Sequence, residues 1–554
     1  MFLKLLQFLR NHWFAVCIVL LVVLKHSCLA EQPFLARSNY PHDDTLFLTS
    51  ALHIISGEWL GPFNQLTLLR GPLYPVWISF IYWLGLPLIH ANDLLYLAAC
   101  LVAIQALTVV VKQRWFLFPA FVFLYFAPHS YDYQTVAYSF RMSIYPSLAL
   151  LVLGSALGLT LRLVGNEGGR GLWSVLFAVS FSFFWYVREE GIWIIPPLVL
   201  LLIYVVIFGI FRSDSRLKRS LRSMFLFVLM PALFFMATTF GLRQLNGIYY
   251  GSPVILEIKA PEFKRAYNAL LSVEAREPIR YVHVTRDTLE TLYQASPKMA
   301  ELQDYLTKAA DNLGFNGQLP AATFFFAFRD AVATAGYYKL GLPAVLRFYD
   351  ELGEEIEMAC SAGTLSCARL VYPLVPLWRQ EHTNDLPASL LRQFDLIVRF
   401  PEFKPYINRV SIGDQQFLHH VGRLIHSSPA ATDHVAQALD FPENARHLKL
   451  GLLDTVGEFL QIVRITLFYI CLLLMIYFII DDLKNQRLEP LPVAGCSLFG
   501  ALVCLTAILS VIDVTSFHSL FRQRHGAVAL VSLFVVCIIA EWCRRRAKRH
   551  AFRF

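Results

Sequence analysis

Two adjacent carboxylates, Asp43 and Asp44, precede an apolar run in the stretch "YPHDDTLFLTSALHII". Neighbouring carboxylates at a boundary between water and lipid repel one another unless an arginine, a cation or a proton relieves the charge. A single aspartate would suffice to cap the helix that this run predicts, an effect worth about 0.5–2 kcal/mol. The pair favours a functional site, in which a carboxylate accepts a proton or holds a divalent cation, over the simpler helix cap.

Arginines and further carboxylates recur beside apolar segments, as Arg70 in "LLRGPLYP", Arg141 in "YSFRM" and Arg188 in "VREEG". Ionisable groups at membrane depth are costly and commonly mark function, although each one alone is equally consistent with an anchor or an interhelical ion pair. Planar guanidinium groups suit phosphate oxygens, so we predict that the three arginines bind a phosphate. The supporting residues are predicted to be His42, Glu189 and Glu190.

Long apolar segments must position these residues. Of the 554 residues, 56% are hydrophobic and only 16% are charged, whereas soluble proteins carry nearer a quarter charged residues. Most of the apolar runs approach the roughly 20 residues that cross a bilayer, so the sequence predicts an all-α polytopic membrane protein. The runs are 13–24, 74–90, 94–111, 115–128, 143–161, 172–187, 192–211, 223–240, 461–480, 492–513 and 526–542.

The net charge of +8 comes from basic clusters beside apolar runs, at 212–222 and 544–549. Basic residues in short loops are typical of the cytoplasmic side of a membrane protein, and this reading is favoured over a nucleic-acid-binding tail. Counting back from a cytoplasmic C-terminus places 244–460, 188–191 and Asp43 together on the exterior side. Residues 1–30 predict an uncleaved first span, with a signal peptide as the alternative.

Eleven full crossings would place the N-terminus outside, against its Lys4 and Arg10. The segment 74–90 is the weakest candidate for a span, because prolines stand at its start and near its end. We therefore expect about ten crossings. The sequence divides into a transmembrane core (1–243) with a first exterior loop (31–72), a mainly helical exterior domain (244–460) and C-terminal spans with a basic tail (461–554).

Only two of the ten cysteines, Cys360 and Cys367, lie in the predicted exterior domain, in "CSAGTLSC". In an oxidising compartment such an isolated pair indicates a disulfide, and its Cα atoms should then lie within about 7 Å. A pair of buried free thiols is the alternative.

An acidic pair in the first exterior loop, the helix after it, and the following "RGPLYP" resemble the GT-C glycosyltransferases. The relevant branch includes protein O-mannosyltransferases and the aminoarabinose transferase that modifies lipid A, and "REEGIWIIPP" is similar to a motif of uncharacterised bacterial members. The resemblance covers about residues 1–245. It implies a GT-C-like helix bundle in a bacterial cytoplasmic membrane, with the active site facing the exterior.

The resemblance also implies a transferase that moves a sugar from a polyprenyl-phosphate donor to the hydroxyl of a glycan, lipid or protein acceptor. Asp43 or Asp44 matches the family's acidic position, which acts as a base or as a metal ligand. If it acts as a metal ligand, the cofactor is a divalent cation. We favour Asp43 as the base, because Asp44 begins the helix more directly. A transporter or flippase of a lipid-linked or anionic substrate is the alternative, in which the same residues line a pathway.

Overall fold

The computed structural model describes residues 2–211, 221–370, 373–407, 409–430, 443–518 and 523–551. The protein is all-α, as predicted. Across these described residues the only β pairings are isolated bridges, for example between Phe34 and Pro429.

The N-terminal half consists mainly of long apolar helices connected by short turns. Its helices are α1 (Phe2–Leu29), α2 (Asp44–Ile55), α3 (Leu73–Trp83), α4 (Leu88–Leu107), α5 (Arg114–Tyr125), α6 (Tyr133–Val136), α7 (Tyr145–Gly165), α8 (Arg170–Val187), α9 (Ile195–Phe211) and α10 (Met230–Tyr250).

Short amphipathic helices build the intervening segment, which we define as residues 251–442. Several begin in a standard way: Thr285, Ser296 and Asp414 each accept a hydrogen bond from a backbone N–H of the first turn. The helices are α11 (Pro261–Ser272), α12 (Arg286–Ala295), α13 (Pro297–Ala300), α14 (Gln303–Leu313), α15 (Ala321–Thr334), α16 (Leu342–Ser361), α17 (Gln380–Arg399) and α18 (Gln415–Ile425).

Three long helices complete the chain, α19 (Glu443–Lys484), α20 (Pro490–Thr515) and α21 (His525–Ala551). Helix α19 begins well before the apolar run 461–480 predicted from hydropathy, because its first turns are polar. Helix α10 likewise continues to Tyr250. Helix α10 contains the predicted domain boundary 243/244, and α19 contains the boundary 460/461. The division into domains stays a prediction.

Within the described ranges, nine helices are long and apolar enough to cross a membrane. The tenth expected crossing is the run 115–128, which forms only the 12-residue α5 with Pro119 inside it, so the number of crossings stays a prediction. Twelve helical residues cover about 18 Å, less than the roughly 30 Å of a bilayer core. The run 74–90 forms the 11-residue α3, which agrees with the expectation that it does not cross.

Two spans lie at the centre of the bundle. The spans Arg141–Gly165 and His525–Lys548 are 89% and 83% buried, whereas the N-terminal span is 17% buried. Helix α7 contacts α4, α8, α9 and α21, so the others are arranged around this central pair. Both ends of the α7–α8 hairpin are thereby fixed, including the end that carries Arg141 and Arg188.

The first loop is attached to the intervening segment by backbone hydrogen bonds. Ile412 N–H donates to Ala36 O at 2.8 Å, and Ala430 N–H donates to Phe34 O at 2.9 Å. These bonds hold the chain that leads into Asp43 against residues almost 400 positions later. At the other end of the bundle, Arg545 pairs with Asp481 and Asp482. The basic residue Arg216, which is predicted to lie on that side, falls outside the described residues.

A disulfide joins Cys360 and Cys367, with their Cα atoms 5.6 Å apart, inside the predicted 7 Å. We expect thiol alkylation of the native protein to label neither residue, and peptide mapping after reduction to find both labelled. Cys360→Ser should lower the free energy of unfolding by about 2 kcal/mol, since the bond closes a short loop. The buried thiol of Cys100 is the control, because its labelling after unfolding should not depend on a reductant.

Candidate active site

The two aspartates of the acidic pair face different arginines. Asp44 begins α2 and is fully buried, and its Oδ2 lies 2.7 Å from Arg37 Nε. Asp43 occupies the N-cap position, but its side chain makes no capping hydrogen bond. Its carboxylate is 37% exposed, and its Oδ1 lies 3.6 Å from Arg70 Nη2. Asp44 therefore belongs to a buried ion pair, while Asp43 is open to a ligand.

This arrangement does not fit a divalent cation held by the acidic pair. A metal would draw both carboxylates to one point, whereas Asp43 and Asp44 pair with separate arginines. Nor do the described residues contain a group of three His, Cys, Asp or Glu side chains with metal-ligand geometry. We therefore derive no step through a metal ion.

Arg70 is fixed against the end of α8 by its neighbour Gly71. Gly71 N–H donates to Glu189 Oε1 at 3.0 Å, and a Cβ atom at this position would lie 2.1 Å from Tyr186 O. Only glycine allows this approach. Burial, followed by the Arg141 charge, lowers the pKa of Arg70, and its Nε has no hydrogen-bond partner in the part of the chain that the structure describes.

Arg141 and Glu189 form an ion pair beside Arg70. Arg141 Nη1 donates to Glu189 Oε2 at 2.6 Å and to Val187 O at 3.2 Å. Burial opposes ionisation of Glu189, but the Arg141 and Arg70 charges outweigh it and hold its pKa below the ordinary value. Glu189 is therefore a carboxylate that binds Arg141 directly and holds Arg70 through the backbone N–H of Gly71.

Arg188 lies at the same end of the bundle and is paired with Glu190. Its guanidinium group donates to both carboxylate oxygens of Glu190, at 3.1 and 2.8 Å, and lies 5.2 Å from the Tyr145 ring centroid. Burial alone would lower the pKa of Arg188, but Glu190 raises it. Each predicted phosphate-binding arginine thus has its own carboxylate, Asp43 for Arg70, Glu189 for Arg141 and Glu190 for Arg188.

Lys259 is a site residue that sequence reasoning missed. It ends a 3₁₀ turn (Glu257–Lys259), and its Nζ donates to Glu189 O at 3.2 Å. Burial lowers its pKa. With Lys259 protonated, this group of described residues contains four cations and three carboxylates. Its net charge is therefore +1, which favours the binding of an anion. The members are Asp43, Arg70, Arg141, Arg188, Glu189, Glu190 and Lys259.

An apolar groove approaches this group along the membrane spans. It has a volume of about 380 Å³ and is lined by α8, α9, the first turns of α10 and the preceding residues Phe227 and Val228. Phe177, Phe181 and Trp185 recur every four residues along α8 and extend over about 12 Å. The Trp185 ring centroid lies 5.8 Å from Lys259 Nζ, so the groove ends at a cation.

On its other side, the group meets helix α15 of the intervening segment. His42 Nε2 lies 3.7 Å from Asp330 Oδ2, and the His42 ring stacks on Phe326 with centroids 4.4 Å apart. Phe326 also faces Arg70, 5.6 Å from its guanidinium carbon. Burial lowers the pKa of His42, which favours a neutral imidazole. The sequence "FFFAFRD" carries no signal that would have assigned Phe326 or Asp330 to the site.

Comparison with known proteins finds two similar crystal structures. ArnT from Cupriavidus metallidurans in the apo state is 12% identical, with a TM-score of 0.29, and the match covers 95% of this chain and 78% of ArnT. The same protein bound to undecaprenyl phosphate gives 13% identity, a TM-score of 0.31 and the same coverage. At these scores the likeness carries no inference about activity. No protein family matches the sequence, and no curated protein does.

Proposed function

We propose that the protein is a membrane glycosyltransferase of the GT-C type, which moves a sugar from a polyprenyl-phosphate donor to an acceptor hydroxyl. The observation that carries the proposal is the pairing of a partly exposed carboxylate, Asp43, with the half-buried Arg70 at 3.6 Å. A base for the acceptor and a cation for the leaving phosphate are the two groups that this reaction needs.

The apolar groove supports a lipid-linked donor. A polyprenyl tail would lie along the groove wall formed by Phe177, Phe181 and Trp185, where apolar contacts are favourable. Its phosphate would then meet Lys259 first, since that ammonium group stands beside Trp185. Arg70 is linked to Lys259 through Glu189, whose carbonyl binds Lys259 and whose carboxylate binds Gly71 N–H.

The reaction balances with donor and acceptor alone. The bond between the sugar C1 and the phosphate oxygen breaks, and the phosphate leaves with the electron pair toward Lys259 and Arg70. The acceptor oxygen forms the new bond to C1 and gives its proton to Asp43. Arg141 and Glu189 position Arg70, while the Arg188–Glu190 pair holds the turn between the two spans. We place the site at the exterior face of a bacterial cytoplasmic membrane.

The transporter alternative has one observation in its favour, an ion pair buried within the spans. Lys25 Nζ lies 2.7 Å from Asp93 Oδ1, and both side chains are almost fully buried. Lys25 also donates to Tyr125 O and Ser130 Oγ, and Tyr125 OH donates to Asp93. Both partners are thus bonded to further groups of the protein, which favours a structural role over a pathway.

Binding of undecaprenyl phosphate to the full chain in lipid nanodiscs tests the donor site. Arg70→Gln and Lys259→Gln should each weaken binding about tenfold to a hundredfold, because each removes a charge-assisted hydrogen bond worth about 1.5–3 kcal/mol. Arg265→Gln is the matched control, since Arg265 pairs with Asp350 and Glu357 on the surface of the intervening segment.

Transfer itself is measured with radiolabelled polyprenyl-phosphate sugars and a panel of acceptors. Equal affinity of the wild type, Arg70→Gln and Lys259→Gln for the lipid phosphate would contradict the proposed donor site. Movement of the intact labelled lipid across the bilayer, with no new glycosidic bond, would favour the transporter.

A further inference from the structure

A polar cleft opens beside Asp43, between the first loop and the intervening segment. Its volume is about 410 Å³, within the range of small-molecule pockets. The first loop provides one wall, and helices α14 and α15 provide the other. The lining residues are Pro41, His42, Gln65, Leu66, Tyr305, Asp330, Ala333 and Thr334.

The α15 wall is a single helix face. Phe326, Asp330 and Ala333 follow one another at intervals of four and three residues, which places them on the same side of the helix. The neighbouring Arg329 is fully buried, and it donates to Glu257 at 3.0 and 2.9 Å. This buried pair orients α15, so that Asp330 is directed toward His42 at 3.7 Å.

The cleft differs chemically from the phosphate-binding group next to it. Its lining contains one carboxylate, one imidazole, one phenol, one amide and one hydroxyl, and no lysine or arginine. Tyr305 and Asp330 both line the cleft, and burial, followed by the Asp330 charge, raises the pKa of Tyr305. Such a lining repels phosphate but both donates to and accepts from hydroxyl groups, while Leu66 and Ala333 offer apolar contact.

We propose that this cleft binds the acceptor, and that the acceptor is a neutral glycan whose hydroxyl groups are held by Asp330, Tyr305 and Gln65. The inference rests on the proposed function for the identity of the reaction, and it adds the class of substrate. Asp330 is here a binding residue supplied by the intervening segment. It comes 287 residues after Asp43 in the chain.

The cleft lies where an acceptor must be. His42 lines it and is the residue before Asp43, and Phe326 contacts both the His42 ring and the Arg70 guanidinium group. In the proposed arrangement a hydroxyl held at the His42 edge gives its proton to the neighbouring Asp43 as the oxygen bonds to the sugar C1. The donor phosphate stays on the Arg70 side of Phe326.

The test measures glycan binding directly and does not depend on transfer. Fluorescently labelled full-length protein in detergent micelles is applied to an array that carries neutral, amino and phosphorylated glycans. We expect the wild type to bind neutral glycans, and Asp330→Asn and Tyr305→Phe to weaken this binding about tenfold, as expected when one hydrogen bond to a buried polar site is lost. Asp311→Asn is the matched control, because Asp311 is exposed on the same helix as Tyr305.

The two proposals fail in different ways. Loss of undecaprenyl phosphate binding in Arg70→Gln, together with unchanged neutral-glycan binding in Asp330→Asn, would overturn the acceptor cleft and leave the donor site standing. Glycan binding that depends on Asp330, without any lipid-phosphate binding by the wild type, would support the cleft and overturn the transferase. A wild type that binds only phosphorylated or amino glycans would also overturn the neutral-glycan proposal.

Discussion

Asp43→Asn should reduce sugar transfer about 10²–10⁴-fold, since an amide keeps the shape of the carboxylate but cannot accept the acceptor proton. Because Asp43 is 37% exposed and makes no capping hydrogen bond, its replacement should leave the thermal unfolding of the protein unchanged. Undecaprenyl phosphate binding should persist, as Arg70 and Lys259 remain. The measurements are initial rates with a radiolabelled polyprenyl-phosphate sugar, lipid binding and a melting curve.

Asp44→Asn is the matched control and should have the opposite pattern. It leaves the buried Arg37 without its carboxylate, and breaking a buried ion pair costs up to about 3–5 kcal/mol. We expect a lower melting temperature, with the rate per folded molecule reduced far less than in Asp43→Asn. Wild-type transfer by Asp43→Asn would show that the acidic pair serves only the structure, through its ion pairs with Arg37 and Arg70.

Arg329→Met should destabilise the intervening segment by about 3–5 kcal/mol, because it leaves the Glu257 carboxylate buried and uncompensated. Glu257 also accepts hydrogen bonds from Tyr338 and Tyr349, and its N–H donates to Leu68 O. The loss should therefore loosen the contact between this segment and the loop that carries Arg70. Denaturant unfolding followed by limited proteolysis of the full chain measures the effect.

Two further variants separate charge burial from general damage. The double variant Glu257→Gln with Arg329→Met removes both charges, and it should recover much of the lost stability. Arg265→Met breaks an ion pair of the same segment that is half exposed to solvent, so it should cost no more than about 1 kcal/mol. Equal losses from Arg265→Met and Arg329→Met would contradict the structural role of the Glu257–Arg329 pair.

Hydropathy was sufficient to predict the helical membrane bundle, because spans are read from long apolar runs. It did not predict that the run 115–128 forms a helix of only 12 residues with Pro119 inside it. It also missed the polar start of α19, since an amphipathic extension of a span carries no apolar signal. Both errors concern the ends of helices, where contacts with other segments decide the structure.

The sequence predicted only those residues of the candidate site that lie near the ends of membrane spans. Arg70, Arg141 and Glu189 do come together, as their shared position at the ends of apolar runs predicted. The distinction between Asp43 and Asp44 depends on Arg37, a partner that nothing in the local pattern identifies. Lys259 and Asp330 could not be found, because their positions depend on how the intervening segment folds back onto the first loop.

Helix α19 makes the bundle and the intervening segment mechanically continuous. Its 42 residues span about 63 Å, roughly twice the thickness of the bilayer core. Gln461 donates to the carbonyls of Arg399 and Phe400, and Lys449 pairs with Glu31 at the end of α1. Helix α19 thus contacts other segments of the protein through Lys449 and Gln461, in its N-terminal half. The end of α17 and the chain that follows α1 are therefore both fixed to one rigid helix that continues into a membrane span.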